Sequence, residues 1–196
     1  MVNSSFTNIC KCRLCSSNKL SPFFNFGFVP LGNNLHDSEE KAISSELFPL
    51  AIQRCKDCSH FQLSVSVAPS ILYATNYTYL SSIGKSFLSH LKSYADWCVK
   101  DFSLNSSSLV LDIGSNDGSC LSFFKSNSCK VLGIDPAQQP AKIANQNGIP
   151  TINKFFDETV VDSILDKYGQ ADFITSHNAL AHIDNLESTF INIHRL

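Results

Sequence analysis

The pattern of hydrophobic and polar positions divides the chain into three zones. In the first zone the apolar residues form short runs, among which Phe24, Phe26 and Phe28 alternate with the period of two that is typical of a strand. Over residues 85–102 apolar residues recur every three or four positions, which predicts one amphipathic helix. Further on, short continuous apolar runs alternate with helical patterns. We therefore predict a loop-rich module over 1–80, a connecting helix and linker over 81–105, and a folded domain over 106–196.

The third zone has the pattern of an α/β fold. Its continuous apolar runs are typical of strands buried on both faces, and they lie at 109–113, 131–134, 149–152 and 173–175. The clearest helix between them covers residues 158–168, with Asp157 placed to cap its start and Gly169 its end. Strands that alternate with helical crossovers form a parallel sheet, so we predict a doubly wound, Rossmann-like domain.

Composition and charge exclude several classes of protein. Hydrophobic residues make up 43% and charged residues 16% of the sequence, so the chain can bury a core. A formal net charge of −2 argues against a general binder of nucleic acid or of anionic membranes. The first residues lack the pattern of a signal peptide, and no apolar run approaches the ~18 residues of a membrane span. We therefore predict a cytoplasmic protein, in which eight cysteines indicate metal ligands or buried thiols.

Two C-x-x-C motifs predict a structural zinc site. Cys12 and Cys15 form the first pair, and Cys55 and Cys58 form the second. Each spacing lets both thiolates face one ion, and two pairs complete the tetrahedral four-sulfur set of structural zinc. Cys10 and His60 lie near the pairs as weaker candidates. The competing interpretations are buried free cysteines, a redox pair, or a zinc module that binds nucleic acid, although no long basic run accompanies the motifs. The isolated Cys98, Cys120 and Cys129 are interpreted as core residues.

The loop after the first strand of the third zone indicates the cofactor. The motif DIGSNDG at 112–118 places Gly114 and Gly118 where a backbone must pass close to a ligand, and adds acids at Asp112 and Asp117. A dinucleotide site would instead have G-x-G-x-x-G and bind pyrophosphate, which carboxylates repel. Acids suit a ligand that carries an ammonium group and no phosphate, and S-adenosylmethionine is such a ligand.

Asp135 ends the second strand in the motif GIDP at 133–136. An acid about 20 residues past the glycine loop is placed to bind both ribose hydroxyls of a nucleoside cofactor. A helix cap ahead of Pro136 is the alternative role for this side chain. We favour ribose binding because of the loop that precedes it.

With these motifs the sequence resembles the zinc-containing, S-adenosylmethionine-dependent sugar C-methyltransferases, which act on nucleotide-linked keto-deoxysugars. The resemblance extends over nearly the whole chain. Besides the two cysteine pairs, the loop at 112–118 and the GIDP motif, the residues that carry it are PLGN at 30–33, FPL at 48–50, QL at 62–63, YTYLSS at 77–82, FF at 155–156 and NALAHI at 178–183.

The resemblance implies further roles. Phe156 would lie near the adenine, Asn178 would line the cofactor site at the end of the fourth strand, and His182 would face the substrate. Tyr79, with Tyr77 as a substitute, would reach the site from the N-terminal module. His182 and Tyr79 would then serve proton abstraction next to a ketone and stabilisation of the enolate. His177 and His194 are interpreted as polar surface residues.

The implied family fold has seven strands, and the sequence contains four. We therefore expect a C-terminally truncated chain that alone binds cofactor weakly and shows negligible methyl transfer, and that is completed by a C-terminal segment or a second chain. The last helix would place Leu186, Phe190, Ile193 and Leu196 on one apolar face. The expected partner is a small molecule, a nucleotide-linked sugar, with neither nucleic acid nor membrane. The alternative functions are a non-catalytic zinc module that binds a partner chain and, less favoured, a nicotinamide-dependent oxidoreductase.

Overall fold

Residues 5–74 and 77–196 are described by a computed structural model, in which the chain divides into two units. The first contains Met1–Thr78 and Asp184–Leu186, and the second contains Tyr79–Ile183 and Glu187–Leu196. The division after Thr78 lies close to the predicted end of the N-terminal module. The helix predicted as a connector belongs to the second unit and supplies Leu91, Ala95 and Cys98 to its core.

The first unit is built from antiparallel strands. Strand order is β2-β3-β4 in one sheet, and β1 pairs with β5 in the other. Its elements are β1 (Phe6–Asn8), β2 (Leu20–Val29), α1 (Glu39–Ile43), β3 (Phe48–Cys55), β4 (Phe61–Leu63), β5 (Val65–Val67) and a π-helical turn at Ser70–Ala74. The strand predicted from the alternating phenylalanines is confirmed as part of β2. Both Phe24 and Phe28 are exposed, with 54% and 67% of their surface accessible. The β2–β3 register is irregular between Pro22 and Phe24 and between Asn25 and Phe28.

Few apolar side chains are buried in the first unit. Among its described residues, the buried hydrophobic positions are Cys12, Phe48, Cys55 and Val65. Two of these four are members of the C-x-x-C pairs. Apolar burial of this size stabilises a fold of about 70 residues only weakly, so the unit needs a further source of stability.

The second unit is the predicted α/β domain. Its parallel sheet has the strand order β8-β7-β6-β9. The elements are α2 (Lys85–Asp101), β6 (Leu109–Ile113), α3 (Ser119–Ser126), β7 (Lys130–Ile134), α4 (Gln138–Gln146), β8 (Thr151–Ile152), α5 (Glu158–Tyr168), β9 (Phe173–Thr175) and α6 (Leu186–Arg195), with 3₁₀ turns at Ser81–Ile83 and Leu180–His182. All four predicted strands and the helices predicted at 85–102 and 158–168 are confirmed within three residues.

The sheet is covered on both faces. Val110 packs in a cluster with Leu91 and Phe124, while its neighbour Leu111 packs in a second cluster with Ile134 and Ile164. Since successive side chains of a strand point to opposite faces, β6 lies between two apolar layers, as a doubly wound domain requires. The prediction that the isolated cysteines are core residues is confirmed, because Cys98, Cys120 and Cys129 are all buried.

The predicted apolar face of the last helix is confirmed at Ile193 and Leu196 and wrong at Phe190. In α6, Phe190 is exposed, whereas Thr189 and Asn192 are buried. Ile193 and Leu196 pack against the second cluster, and positions 189 and 192 share that side of the helix at three- and four-residue spacing. Two polar side chains therefore occupy the buried face.

No helix in the described part of the chain is long and apolar enough to cross a membrane.

Asp157 caps α5 as predicted, since a carboxylate oxygen accepts a hydrogen bond of 2.9 Å from the backbone N–H of Val160. Removing this cap by Asp157→Ala should lower the free energy of unfolding by about 1 kcal/mol at neutral pH. The Val160 N–H bond lowers the pKa of Asp157, so the stabilisation is complete above the ordinary aspartate pKa and is lost as pH falls through the lowered one.

Chemical denaturation at several pH values measures this effect. The difference between wild type and variant should shrink below about pH 4. The exposed Asp166 of the same helix is the control, and Asp166→Ala should change stability by less than about 0.5 kcal/mol. Equal losses for the two variants would contradict the capping role.

Candidate metal centre and cofactor site

The four cysteines of the two C-x-x-C motifs meet at one point in the first unit. The sulfur atoms of Cys12, Cys15, Cys55 and Cys58 all lie within 4.8 Å of one another. The Cys12–Cys58 and Cys15–Cys55 sulfur pairs are each 3.6 Å apart, far longer than a disulfide bond. Four sulfurs at about 2.3 Å from a tetrahedral zinc ion would be separated by about 3.8 Å. The cluster therefore has the dimensions of a zinc site, and it includes neither Cys10 nor His60.

The two motifs form matching turns. The N–H of Ser16 donates to the carbonyl of Cys12, and the N–H of Ser59 donates to the carbonyl of Cys55, at 2.8 and 3.0 Å. Ser16 and Ser59 both adopt left-handed backbone conformations, with φ of 61° and 64°. The same turn thus directs the sulfurs of each pair toward the shared centre.

The strands between the motifs bring the pairs together. In the β2–β3 register, Leu20 lies opposite Cys55, so the residues after the first pair run beside the second. Lys19 forms an ion pair of 3.1 Å with Asp57, which joins the two turns. The long insert is therefore a β-hairpin that carries α1, and its length does not separate the ligands.

Three thiols of the cluster have shifted pKa values: the pKa of Cys55 is lowered, and those of Cys15 and Cys58 are raised. Backbone N–H groups, that of Cys58 first, lower the pKa of Cys55 to about 6 against the effect of burial. The pKa of Cys15 is raised to about 12, because hydrogen bonds with neighbouring thiols and burial outweigh the lowering by the N–H of Ser17. Four thiolates cannot coexist here without a cation, and a zinc ion would stabilise all of them.

The candidate cofactor site lies at the carboxyl edge of the parallel sheet. Because β6 has β7 on one side and β9 on the other, the direction of strand order reverses between β6 and β9. Ligands of open α/β sheets bind at this point, just outside the carboxyl ends of the strands. Asp112 near the end of β6, Asp135 after β7 and Asn178 after β9 all lie at this edge.

In the loop after β6, the surroundings of Gly114 leave no room for a side chain. Gly114 has φ of 76°, and a Cβ atom added there would lie 2.4 Å from the Cβ of Ala179. Gly118 has φ of 77° and precedes α3, where an added Cβ would lie 2.9 Å from Ile149. The loop therefore needs glycine at both positions to pass between its neighbours.

Asp135 joins the loop to the start of α4. One carboxylate oxygen accepts a 2.7 Å hydrogen bond from the N–H of Asn116, and the other accepts a 2.8 Å bond from the N–H of Ala137. The side chain thus makes the cap-like bond that the alternative interpretation expected and also holds the cofactor loop. Each oxygen keeps a second lone pair, so ribose binding remains compatible with this arrangement.

Asn116 and Asp117 hold the segment that precedes α2. The Asn116 side chain donates to the carbonyl of Tyr79 at 3.0 Å and accepts from the N–H of Ser81 at 2.9 Å. Asp117 accepts from the N–H of Ser82 at 2.9 Å, while its other oxygen bonds Ser119 at the start of α3. Tyr79 therefore belongs to the second unit and lies beside the cofactor loop, with its side chain 45% exposed. Tyr77 belongs to the first unit.

The acids of this edge are buried without a basic partner. Asp112 is 2% exposed, and its Oδ1 atom has no hydrogen-bond partner. Burial, and secondarily the charge of Asp135, raises the pKa of Asp112 well above its usual range. Burial also raises the pKa of Asp135, although the N–H groups of Ala137 and Asn116 oppose the rise. Among the described residues, no lysine or arginine forms an ion pair with Asp112, Asp117 or Asp135.

The remaining predicted residues lie around the same edge. Phe156 is half-buried against the second apolar cluster. Asn178 is exposed and has φ of 56°, and His182 is exposed at the end of the 3₁₀ turn Leu180–His182. Their roles toward cofactor and substrate stay predictions.

His177 lies in surroundings that differ from the prediction. The prediction that it is a surface residue is wrong, because it is half-buried and its Nδ1 atom is buried without a hydrogen-bond partner. Its ring contacts Tyr94 of α2 edge-on, with centroids 4.8 Å apart. No sequence motif marked either residue, since the contact joins α2 to the end of β9. The exposed His194 agrees with its prediction.

The fold and the acidic edge together define the class of the second unit as an S-adenosylmethionine-dependent methyltransferase domain, joined to a zinc-binding module. Known proteins agree with this class. A family model for a methyltransferase domain matches residues 87–196, and one for a zinc binding domain matches residues 12–73. The chain therefore belongs to the family of this methyltransferase domain and also carries the zinc-binding domain, and S-adenosylmethionine and zinc are its cofactors. A non-catalytic zinc module is not favoured.

One curated relative is similar over most of the chain. C-methyltransferase NovU of Streptomyces niveus is 31% identical over 186 residues, which make up 95% of this chain and 44% of NovU. The chain thus spans less than half the length of this relative.

Solved structures also resemble the chain in part. One is a protein of Methanococcus maripaludis assigned as an S-adenosylmethionine-dependent methyltransferase, with 20% identity, a TM-score of 0.48 and coverage of 59% of this chain and 54% of that one. Another is magnesium protoporphyrin IX methyltransferase of Synechocystis, with 17% identity, a TM-score of 0.41 and coverage of 54% and 52%.

Proposed function

We propose that the protein transfers a methyl group from S-adenosylmethionine to a carbon atom of a nucleotide-linked keto-deoxysugar. The observation that carries the proposal is the set of buried acids at the carboxyl ends of β6 and β7, with which no lysine or arginine of the described residues forms an ion pair. The similarity to a C-methyltransferase over most of the chain supports carbon as the acceptor atom. The sequence resemblance to sugar C-methyltransferases supports the substrate class. The chain's eight free cysteines suit a reducing compartment such as the cytoplasm.

The charge of the site selects the cofactor. S-adenosylmethionine carries an ammonium and a sulfonium group and has no phosphate, so it brings positive charge to the loop that carries Asp112 and Asp117. A nicotinamide dinucleotide would bring a pyrophosphate close to the same carboxylates, and like charges at short distance are costly in a buried site. The acidic edge therefore favours S-adenosylmethionine.

We assign the cofactor contacts by position on the edge. Asp135 binds the ribose hydroxyls through its second lone pairs, and Asp112, with Asn178 beside it, receives the methionine end. Gly114 and Gly118 let the loop approach the ligand, Asp117 holds that loop to α3, and Phe156 borders the adenine. These contacts would fix the methyl group relative to the substrate.

The reaction begins with proton transfer from the carbon next to the ketone to a base, for which His182 is the candidate. The enolate carbon then forms a bond to the methyl carbon as the methyl–sulfur bond breaks, and the electron pair stays on sulfur in S-adenosylhomocysteine. Tyr79, beside the loop, is the candidate donor to the enolate oxygen.

Calorimetry tests the cofactor assignment. Asp135→Ala should weaken S-adenosylmethionine binding by about 1–3 kcal/mol, because the ribose hydroxyls lose their acceptors. Asp135→Asn keeps one acceptor oxygen and should lose less, and the exposed Asp166→Ala is the control for a removed charge. Wild-type protein that binds nicotinamide dinucleotide and not S-adenosylmethionine would overturn the assignment.

A methyl-transfer assay tests the substrate class. With methyl-labelled S-adenosylmethionine and a nucleotide-linked keto-deoxysugar, the label should appear on a ring carbon of the sugar. Label on an oxygen or nitrogen atom, or cofactor binding with transfer only to other acceptor classes, would contradict this part of the proposal.

A further inference from the structure

Three side chains of different chemistry meet beneath the cofactor loop. Asp112 lies near the end of β6, Cys120 lies in the first turn of α3, and His177 follows β9. One carboxylate oxygen, the sulfur and one ring nitrogen all lie within 4.8 Å of one another. The three elements that carry them converge because β6 is the neighbour of β9 and is followed directly by α3.

Two of the three side chains have a buried polar atom without a hydrogen-bond partner. Asp112 Oδ1 and His177 Nδ1 are both buried without a partner, and Cys120 is 4% exposed. Leaving buried polar atoms unpaired costs about 1–3 kcal/mol for each group. The neighbouring Tyr94 leaves His177 Nδ1 without a partner: its hydroxyl bonds Thr175 at 2.9 Å, and its ring meets the imidazole edge-on.

Burial shifts the pKa of each of the three groups toward its uncharged form. Burial, and secondarily the charge of His90, lowers the pKa of His177, which keeps the imidazole neutral. Burial raises the pKa of Asp112 and of Cys120, and the charges of neighbouring acidic groups add to both rises. A neutral imidazole is the form that binds metal, and a bound cation would stabilise the carboxylate and the thiolate.

We propose that Asp112, Cys120 and His177 bind a second divalent transition-metal ion in the methyltransferase domain, and that this ion competes with the cofactor for Asp112. One oxygen, one nitrogen and one sulfur ligand form a set that suits zinc, with the fourth position open. Ligands at about 2.0–2.3 Å from the ion lie about 3.3–3.8 Å apart, so side-chain movements of about an ångström complete the site. The thiol proton is released to solvent on binding.

Zinc titration of the full chain tests the site, with a chromophoric chelator as competitor. The wild type should bind two zinc ions, one tightly at the four-cysteine centre and one more weakly. His177→Ala and Cys120→Ser should each weaken the second site by at least about tenfold, since even outer partners of a metal site contribute about 10–100-fold. The exposed His194 and the buried Cys129 supply the matched controls His194→Ala and Cys129→Ser, which should retain both ions.

Hydrogen-exchange protection of the β6 and β7 amides reports whether the second unit of each variant is folded, because the four-cysteine centre belongs to the first unit. A wild type that binds one ion only would overturn the proposal, whether or not any variant folds. So would a second ion that His177→Ala and Cys120→Ser both retain at unchanged affinity.

The competition rests on the proposed cofactor and is measured separately. Saturating zinc should raise the apparent Kd for S-adenosylmethionine at least about tenfold in the wild type and leave it unchanged in His177→Ala. An unchanged Kd in the wild type would overturn the shared use of Asp112. Failure of S-adenosylmethionine to bind at all, with two zinc ions still bound, would instead overturn the proposed function and leave the metal site standing.

Discussion

Removal of zinc from the four-cysteine centre should unfold the first unit and leave the second unit folded. The buried apolar side chains of the first unit are few, and Cys12 and Cys55 are among them. Structural zinc contributes an apparent 10–16 kcal/mol or so to the folding of small zinc domains, which is as large as the whole stability of a typical domain. The four sulfur atoms lie within 4.8 Å of one another. Without the ion, no metal–sulfur bond would hold the four thiols in this arrangement.

The second unit has its own source of stability. Its two apolar clusters include Leu111, Phe124 and Ile164, and none of its described residues belongs to the four-cysteine centre. We therefore expect the effects of zinc loss to be confined to the first unit, with protection of β6 and β7 retained.

Hydrogen exchange resolves the two units in one experiment. Chelation, or Cys55→Ser, should remove the protection of β2 and β3 amides and preserve that of β6 and β7. Cys10→Ser is a matched control, because Cys10 lies two residues from Cys12 and outside the cluster, and it should retain zinc and protection. Protected β2 and β3 amides in a protein proved free of zinc would refute the prediction.

Local patterns made the elements of the second unit predictable. The strand β6 was predictable because all five of its residues are buried, and a strand buried on both faces forms an apolar run in the sequence. The helix α5 was predictable because Asp157 and Gly169 mark its ends. The zinc centre was predictable for a similar reason: each C-x-x-C motif forms its own turn, so only the meeting of two turns had to be inferred.

Contacts between distant segments were not predictable in the same way. His177 is buried by Tyr94, 83 positions earlier in the sequence, and no periodicity links the two. Asn116 has no apolar or glycine signal, yet its side chain holds Tyr79 and Ser81 beside the loop. In α6, Thr189 and Asn192 share the buried face with Ile193 and Leu196, so apolarity identified only part of that face. Tertiary packing decided each of these positions.

The glycine at position 114 should be the least replaceable residue of the cofactor loop. Its positive φ costs a residue with a side chain about 1–2 kcal/mol, and a Cβ 2.4 Å from that of Ala179 forces backbone movement. Overpacking of this kind typically costs a further 1–3 kcal/mol or so. The movement would displace the loop from Asp135, or Ala179 and the adjacent Asn178 from the sheet edge, and either shift would misalign cofactor contacts.

Gly114→Ala should therefore lower the free energy of unfolding by about 2–5 kcal/mol and weaken S-adenosylmethionine binding by about 5- to 150-fold. Gly148→Ala separates the two causes, because Gly148 has a similar φ of 74° but meets only the flexible end of Lys125, at 3.4 Å. That variant should lose about 1–2 kcal/mol and bind cofactor normally. Denaturation and calorimetry on both variants measure these effects. Equal stability losses with cofactor affinity preserved in Gly114→Ala would show that the close approach to Ala179 has no part in forming the site.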